Sequence, residues 1–434
     1  MKKKELSAKS QDLLRAQTIT QNEPGTVLRD FETFLQFIAS HPLEAAGLYD
    51  MLPINCLSAL NEQMSQPLRI EMKRPMHKSF PHLSVLFLLA RAGGFICTDG
   101  QSGKRLLRLY EPALQQWQTL NATERYFTLL DIYLWHANGE LINDRRGGGR
   151  FLKGMSSEAL MVWSRHGEGG VKVPAGKQQE NLIFTTWFHY YAFFELFGFV
   201  IITQGKPEAG KGWRIKAIKP TPCGLALFEL VKVKEVNFWN SILRGDQDDD
   251  EDEPVPQPNQ EVVFNHFQPH LQPYFPEWQR CLAFKDDSGP RAGVFQFKAS
   301  LGKAWRRIAI DARDTLEDLS LTVLEAFDFD NDHLHRFIYR DRFGLPQEIN
   351  HPSMDEPPFS DQVPLQDLSL PLGGRMTFIF DFGDHWEFDL TLEKIDPTPF
   401  GIPKPKVIES HGKAPEQYPS WDDGEDDYDE DDDE

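Results

Sequence analysis

The chain predicts a multidomain α+β protein, with a helix-rich N-terminal region carrying winged-helix-like β-hairpins and a C-terminal mixed α+β domain. Three observations lead there. A run of acids followed by Pro254, Pro256 and Pro258 separates two differently patterned regions. The first region twice sets an apolar helix before a hairpin. The second alternates apolar and polar residues with the period of a sheet. The expected layout is a flexible N-terminus (1–24), a helix-rich region (25–245), an acidic, proline-rich linker (246–260), an α+β domain (261–420) and a disordered acidic tail (421–434).

A chain of 434 residues exceeds one ordinary core, and with 40% hydrophobic and 12% aromatic residues it has ample material to bury. The formal charge of −20 is concentrated. Seven acids lie between Asp246 and Glu253 and eleven between Asp422 and Glu434, and without them the net charge is −2. Residues 1–245 carry 30 Lys and Arg against 22 Asp and Glu, whereas 254–421 carry 16 against 26. The N-terminal region is therefore mildly basic, which permits nucleic acid without requiring it. Charge repulsion and stiff prolines keep the linker extended.

The N-terminal elements follow from spacing. Phe31, Phe34, Leu35 and Ile38 share one helix face, with Asp30 as the expected cap, and Tyr126, Leu129, Leu130 and Tyr133 share another. A possible internal duplication follows. Ser84–Gly94 reads as a helix closed by glycine, then a short strand, the turn Asp99–Lys104, the strand Arg105–Tyr110, Pro112 and a helix over Leu114–Leu120. Tyr191–Gly198 repeats the order through the loop Gln204–Gly212, the strand Trp213–Ile218, Pro220 and a helix over Gly224–Val233. Glycine at each helix end suits a left-handed cap. The offset drifts from 104 to 108, so the repeat is structural rather than strict. The plainer reading is two unrelated helix–hairpin units. Asp144–Arg150 and Gly167–Gln179 read as mobile loops.

In the C-terminal region, Val294–Ala299 and Trp305–Ile310 read as a hairpin across Gly302. Asp314 to Glu317 reads as a helix start, with Asp314 as N-cap, and Leu316, Leu319, Val323, Leu324 and Phe327 form its buried stripe. His335–Tyr339, Met376–Phe380 and Trp386–Leu392 complete the strands, the last two around an Asp-Phe-Gly-Asp turn. Three stretches stand out: Trp305-Arg306-Arg307-Ile308, His333-Leu334-His335, and Phe380 through Glu387. They resemble the plasmid pRiA4b ORF-3-like family, small α+β domains found alone or attached to other modules in bacteria and archaea, often near mobile elements. The resemblance covers the last third of the chain and implies a fold, since the family has no settled activity. Ser410–Pro419 resembles the family's closing element and is expected to wrap back over the sheet. The family pattern often places a histidine two residues after the tryptophan, where this chain has Phe388.

Two chemical readings follow. In an extended strand His333 and His335 face one side, and Asp381, Asp384, His385 and Glu387 lie around a turn near them. Convergence of three such groups would make a metal-dependent hydrolase or nuclease, with metal-bound water as nucleophile. The plainer reading is polar residues satisfying a turn, so no metal and no cofactor are expected. Trp305 with Arg306 and Arg307 offers stacking and pairing to phosphate or carboxylate. The plainer alternative pairs one arginine with an acid such as Asp384 and packs Trp305 in the core. The favoured function is a non-enzymatic binding or adaptor module, its partner nucleic acid or protein. Lys104, Arg105, Lys206, Lys211 and Arg214 on the hairpin loops are the expected nucleic-acid contacts.

Other classes lack their motifs. The chain has no phosphate-binding loop, no nucleophile elbow and no recombinase nucleophile constellation, and Asp381-Phe382-Gly383 stands without the companion motifs of a kinase. Cys56, Cys97, Cys223 and Cys281 are far apart, against a zinc ribbon or disulfide framework and in keeping with a reducing cytosol. The basic start, Met1 to Glu5, has no apolar stretch behind it, so no signal peptide is expected. Ile183–Ile202 carries His189 and Glu195 and reads as a buried helix running into a strand rather than a membrane span. A cytoplasmic protein is expected.

Overall fold

The structure, a computed structural model, describes residues 6–47, 50–101, 104–137, 169–174, 187–230, 261–285, 289–397 and 402–418, with Gly176 and Gln179. The acidic linker, the acidic tail and most of the two glycine-rich loops lie outside the described residues. The chain divides into two compact units. One is formed by 1–289 with 339–347 and 367–374, the other by 290–338, 348–366 and 375–434.

The first unit opens with α1 (Ala8–Ala16), whose cap Ser7 accepts the Ser10 N–H. It continues with α2 (Val27–Ser40), β1 (Leu43–Glu44), α3 (Leu57–Gln63), α4 (Pro81–Ala92), β2 (Ile96–Gln101) and β3 (Lys104–Leu109). The strands pair in the order β1-β3-β2, Leu43 opposite Leu107 and Ile96 opposite Leu109. After α5 (Glu111–Thr119) and α6 (Ala122–Asp131) come β4 (Val171–Lys172), α7 (Trp187–Leu196), β5 (Val200–Gln204) and β6 (Ile215–Pro220), then α8 over 222–230. Here too the order is outer strand, last strand, middle strand: β4-β6-β5. The repeat read from sequence is thus two helix–hairpin–helix units, each with a third strand that sequence did not show.

Gly94 and Gly198 end α4 and α7 with φ of +71° in both, a conformation costly to any residue with a Cβ. All twelve residues of α4 are buried, as is every residue of α7 from 188 to 196, and the two helices pack on each other. Phe31, Phe95 and Trp117 meet edge-to-face at 5.2–5.5 Å. Full burial of a phenylalanine contributes about 1.5–3 kcal/mol, so this aromatic density carries much of the unit's stability. Asp30 is not the cap of α2. Thr26 holds that position, and Asp30, inside the helix, accepts the Thr26 hydroxyl and the Ser65 N–H, both at 2.7 Å. The unit also holds β7 (Val262–Val263), the single turn α9 (Gln268–Leu271) and β8 (Ala283–Phe284), with β7 paired to β8.

The C-terminal region builds a seven-stranded sheet in the order β12-β11-β13-β14-β9-β10-β15. Its strands are β9 (Val294–Leu301), β10 (Ala304–Asp311), β11 (His335–Arg340), β12 (Pro346–Asn350), β13 (Arg375–Phe380), β14 (Trp386–Asp396) and β15 (Lys406–His411). α10 (Leu316–Phe327) lies after β10, and the five residues of the predicted stripe are all buried. Its capping box sits one residue later than expected: Thr315 is the N-cap, and Asp318 at N3 returns the bond at 2.8 Å. The closing segment adds β15 as an edge strand on β10, and beyond it Gln417 accepts the Asp330 N–H at 2.6 Å.

Candidate functional site

The turn between β13 and β14 is built around one carboxylate. Asp381 and His385 both take positive φ, 54° and 57°. Asp381 is 7% exposed, and its N–H donates to the Leu334 carbonyl at 3.0 Å. Its Oδ1 accepts the Gly383 N–H at 2.8 Å and the Asp384 N–H at 3.4 Å, while Oδ2 lies 3.4 Å from His333 Nε2. The strained backbone is therefore held by a carboxylate that also meets an imidazole. His385 and Glu387 pair at the rim, 3.1 Å apart, and Asp384 is exposed. Phe382 is 43% exposed, with the Arg336 guanidinium 5.7 Å from its ring centre. Beside this turn Asp332 accepts the Tyr418 hydroxyl at 2.5 Å, which pushes that phenol up to about 12.

His335 belongs elsewhere. Its ring is fully buried, whereas the His333 ring is 44% exposed. His335 Nε2 lies 3.0 Å from Ser360 Oγ and 3.3 Å from Glu317 Oε2, and Ser360 donates to that same Glu317 oxygen at 2.6 Å. The His351 ring is 4.8 Å away at 82°. Serine, histidine and acid do not form a nucleophilic relay here, because the carboxylate meets the serine and the same ring nitrogen that the serine meets, and Ser360 is fully buried. The sequence cluster thus divides into His333 with Asp381 and its turn, and His335 with Glu317, Ser360 and His351. The three-group convergence that a hydrolase needs does not assemble around Asp381 from the residues singled out.

Trp305 is half-buried and stacks on His411 at 5.5 Å, with Lys298 Nζ 4.8 Å and the Arg307 guanidinium 5.3 Å from its ring. It is not a core residue. Arg306 donates to the Ala326 carbonyl at 2.8 Å and lies over Phe327. Arg307 pairs with Glu393 at 2.6 Å and with Glu409 rather than with Asp384. Both arginines serve the sheet they stand on.

In the N-terminal hairpins Lys104 is exposed and 3.3 Å from Glu44, while Arg105 pairs with Asp50 at 2.6 Å. Arg214 is 4% exposed and paired with Glu208 at 3.0 Å. Lys206 is exposed and Lys211 half-buried. Sequence reasoning passed over Lys172, Lys216 and Lys219, exposed on the β4-β6-β5 sheet beside Ile201, which is 60% exposed and opposite Lys219. Lys216 and Lys219 are three apart in Ile215–Pro220, so no period-2 alternation marked them as one surface, and the register shift opposite them at Thr203/Gln204 is set by the fold.

The family model of the plasmid pRiA4b ORF-3-like protein matches residues 295–418. Residues 295–418 are a plasmid pRiA4b ORF-3-like domain. The uncharacterized protein y4hQ of Sinorhizobium fredii (strain NBRC 101917 / NGR234) is 30% identical over 130 residues, 29% of this chain and 65% of that relative, so just under two thirds of the relative's length is spanned. The crystal structure of a protein of unknown function, MM3350 from Methanosarcina mazei Go1, aligns with 27% identity over 28% of this chain and 70% of its own, at a TM-score of 0.26. Within the pRiA4b ORF-3-like domain, the departure at Phe388 falls in the core. That ring is fully buried against Phe327, Phe329 and Phe378, at 5.2–5.6 Å, so the position faces packing rather than solvent. Glu317, Ser360 and His351 lie inside the same domain and were missed because only the fold brings a helix start, a loop and a strand end together.

Proposed function

We propose that the protein is a non-enzymatic binding module whose two helix–hairpin units are winged-helix-like, and that the second hairpin sheet contacts the phosphate backbone of nucleic acid. The strand order β1-β3-β2, repeated as β4-β6-β5, together with the helices before each hairpin, supports the winged-helix reading. The helix that would enter a DNA groove in such a unit is buried in both copies. Contact therefore falls to the hairpin sheets and not to helix insertion. The observation that carries the reading is the outer β4-β6-β5 surface. Lys172, Lys216 and Lys219 are exposed there, Lys206 is exposed on the loop after β5, and no ion pair involves these four among the described residues. Contact of this kind neutralises phosphates without reading bases, so weak sequence preference is expected.

Binding of the full chain to a duplex oligonucleotide, measured by anisotropy across a salt series, tests this. Affinity is expected to fall steeply with salt, because each neutralised phosphate releases counterions, with a log–log slope of about −0.9 per contact. Deleting 422–434 is expected to tighten binding by removing a competing polyanion. No binding at low salt removes the nucleic-acid reading and leaves a protein partner, for which affinity capture is the next test.

A further inference from the structure

We propose that Glu317, His335 and His351 form a binding site for a divalent transition metal ion of the zinc class. The three side chains come from separate elements: the second residue of α10, the first of β11 and the residue after β12. Each offers one ligand atom, and the three atoms lie within 4.8 Å of one another, the only such group among the described residues. Donors bound at about 2.0–2.1 Å around one tetrahedral ion stand roughly 3.3–3.5 Å apart. His335 Nε2 and Glu317 Oε2 are already at that spacing, at 3.3 Å. His351 has to close the remainder.

The two rings face one carboxylate, and His335 Nδ1 is buried without a hydrogen-bond partner. One ion satisfies two neutral imidazoles and an acid together. The His351 N–H donates to the His335 carbonyl at 3.0 Å, so the two backbones are pinned before any ion arrives. Ser360 bonds Glu317 and His335 and orients both, as outer-shell partners of ligands do.

Two contacts have to change. Ser360 gives its proton to Glu317, so His335 Nε2 carries the proton of the metal-free network and passes it to the unpartnered Nδ1 to expose a lone pair. His351 Nδ1 accepts the Ser353 N–H at 3.0 Å, so the ring exchanges that donor for the ion or turns over about χ2. The ring is half-buried, which leaves room for the turn and for solvent at the remaining coordination position. Two imidazoles and a carboxylate favour zinc, cobalt, nickel or ferrous iron over magnesium or calcium, which take oxygen donors.

The test uses the full chain, stripped with chelator and titrated with cobalt(II). One equivalent is expected, with a visible d–d spectrum that zinc displaces and a higher melting temperature when loaded. His351→Ala, which leaves the Glu317–His335–Ser360 contacts untouched, is expected to lower cobalt affinity about tenfold or more and to abolish the spectrum. Its metal-free melting temperature is expected to match the parent's. His333→Ala, outside the site, is expected to leave binding unchanged. Absence of a cobalt spectrum in the parent, or binding that survives in both His351→Ala and His351→Asn, overturns the site. Loss through His333→Ala instead would move the ion to the Asp381 turn and overturn it equally.

Discussion

Three residues before its left-handed glycine, α4 buries Arg91 and α7 buries Glu195. The positions are equivalent in the repeat, and each copy solves an opposite electrostatic problem. Arg91 is fully buried. Burial lowers its pKa, the charges of Asp50 and Asp341 oppose that shift, and the Thr98 hydroxyl accepts its Nη1–H at 2.8 Å. Gly344 is confined to glycine by this arrangement: its φ is +82°, and a Cβ there would stand 2.5 Å from Arg91 Nη2. Glu195 instead takes His82 Nε2 at 2.8 Å, both groups being under a tenth exposed. Two helix–hairpin units thus share a strand order and a helix-ending glycine while the buried charge reverses.

The largest expected effect tests whether the two buried charges matter equally. Arg91→Leu removes the buried cation whose charge Asp50 and Asp341 both face, leaving Asp50 only Arg105, and removal of one member of a buried charged group costs about 3–5 kcal/mol. Glu195→Leu leaves behind only His82, which can stand neutral, so a loss of about 1–3 kcal/mol is expected, the cost of an unsatisfied polar group. Urea unfolding of both variants orders them. Equal losses would show that Arg91 draws little from its two acids, and the contrast between copies would fall.

The elements of this contrast were only partly legible in the sequence. Helix–glycine–strand–turn–strand is local grammar, so both hairpins and the left-handed Gly94 and Gly198 could be read directly. The α10 stripe from Leu316 to Phe327 was readable for the same reason, being a short-range period. The third strands β1 and β4 have two residues each and leave no periodic trace. His333 and His335 looked alike by spacing, yet regular strand begins only at His335, so the alternation that would place them on one face does not reach His333. Glu317 and His351 are 34 residues apart with no motif joining them, and their meeting is a product of topology.

The next effect concerns pH and the mutual packing of α4 and α7. His189 is buried, neither ring nitrogen has a hydrogen-bond partner, and burial followed by the charge of His82 holds its pKa at about 3, against 6.5 when free. The unfolded chain therefore binds this proton at a higher pH than the folded one. Stability is complete above about 6.5 and falls as pH drops from there toward 3, with a slope of at most about 1.4 kcal/mol per unit. His189→Leu is expected to flatten the melting temperature between pH 6.5 and 5 relative to the parent. An unchanged slope would place the acid sensitivity outside His189.

The smallest expected effect separates the two hairpin sheets as binding surfaces. In the first, Lys104 already faces Glu44 and Arg105 faces Asp50, so neither cation is free to neutralise a phosphate without breaking a pair. In the second, Lys219 stands opposite exposed Ile201 and Lys216 is exposed at the register shift. Reversing charge at both, Lys216→Glu with Lys219→Glu, is expected to weaken duplex binding about tenfold at moderate salt and to reduce the salt slope by about two contacts. Lys104→Glu is expected to change affinity less than threefold, since it removes a cation already screened by its partner. Folding should be untouched in both cases, because exposed lysines and surface pairs contribute well under 1 kcal/mol. If Lys104→Glu proves the more damaging, the first sheet is the contact surface and the functional weight of the two copies is the reverse of that proposed.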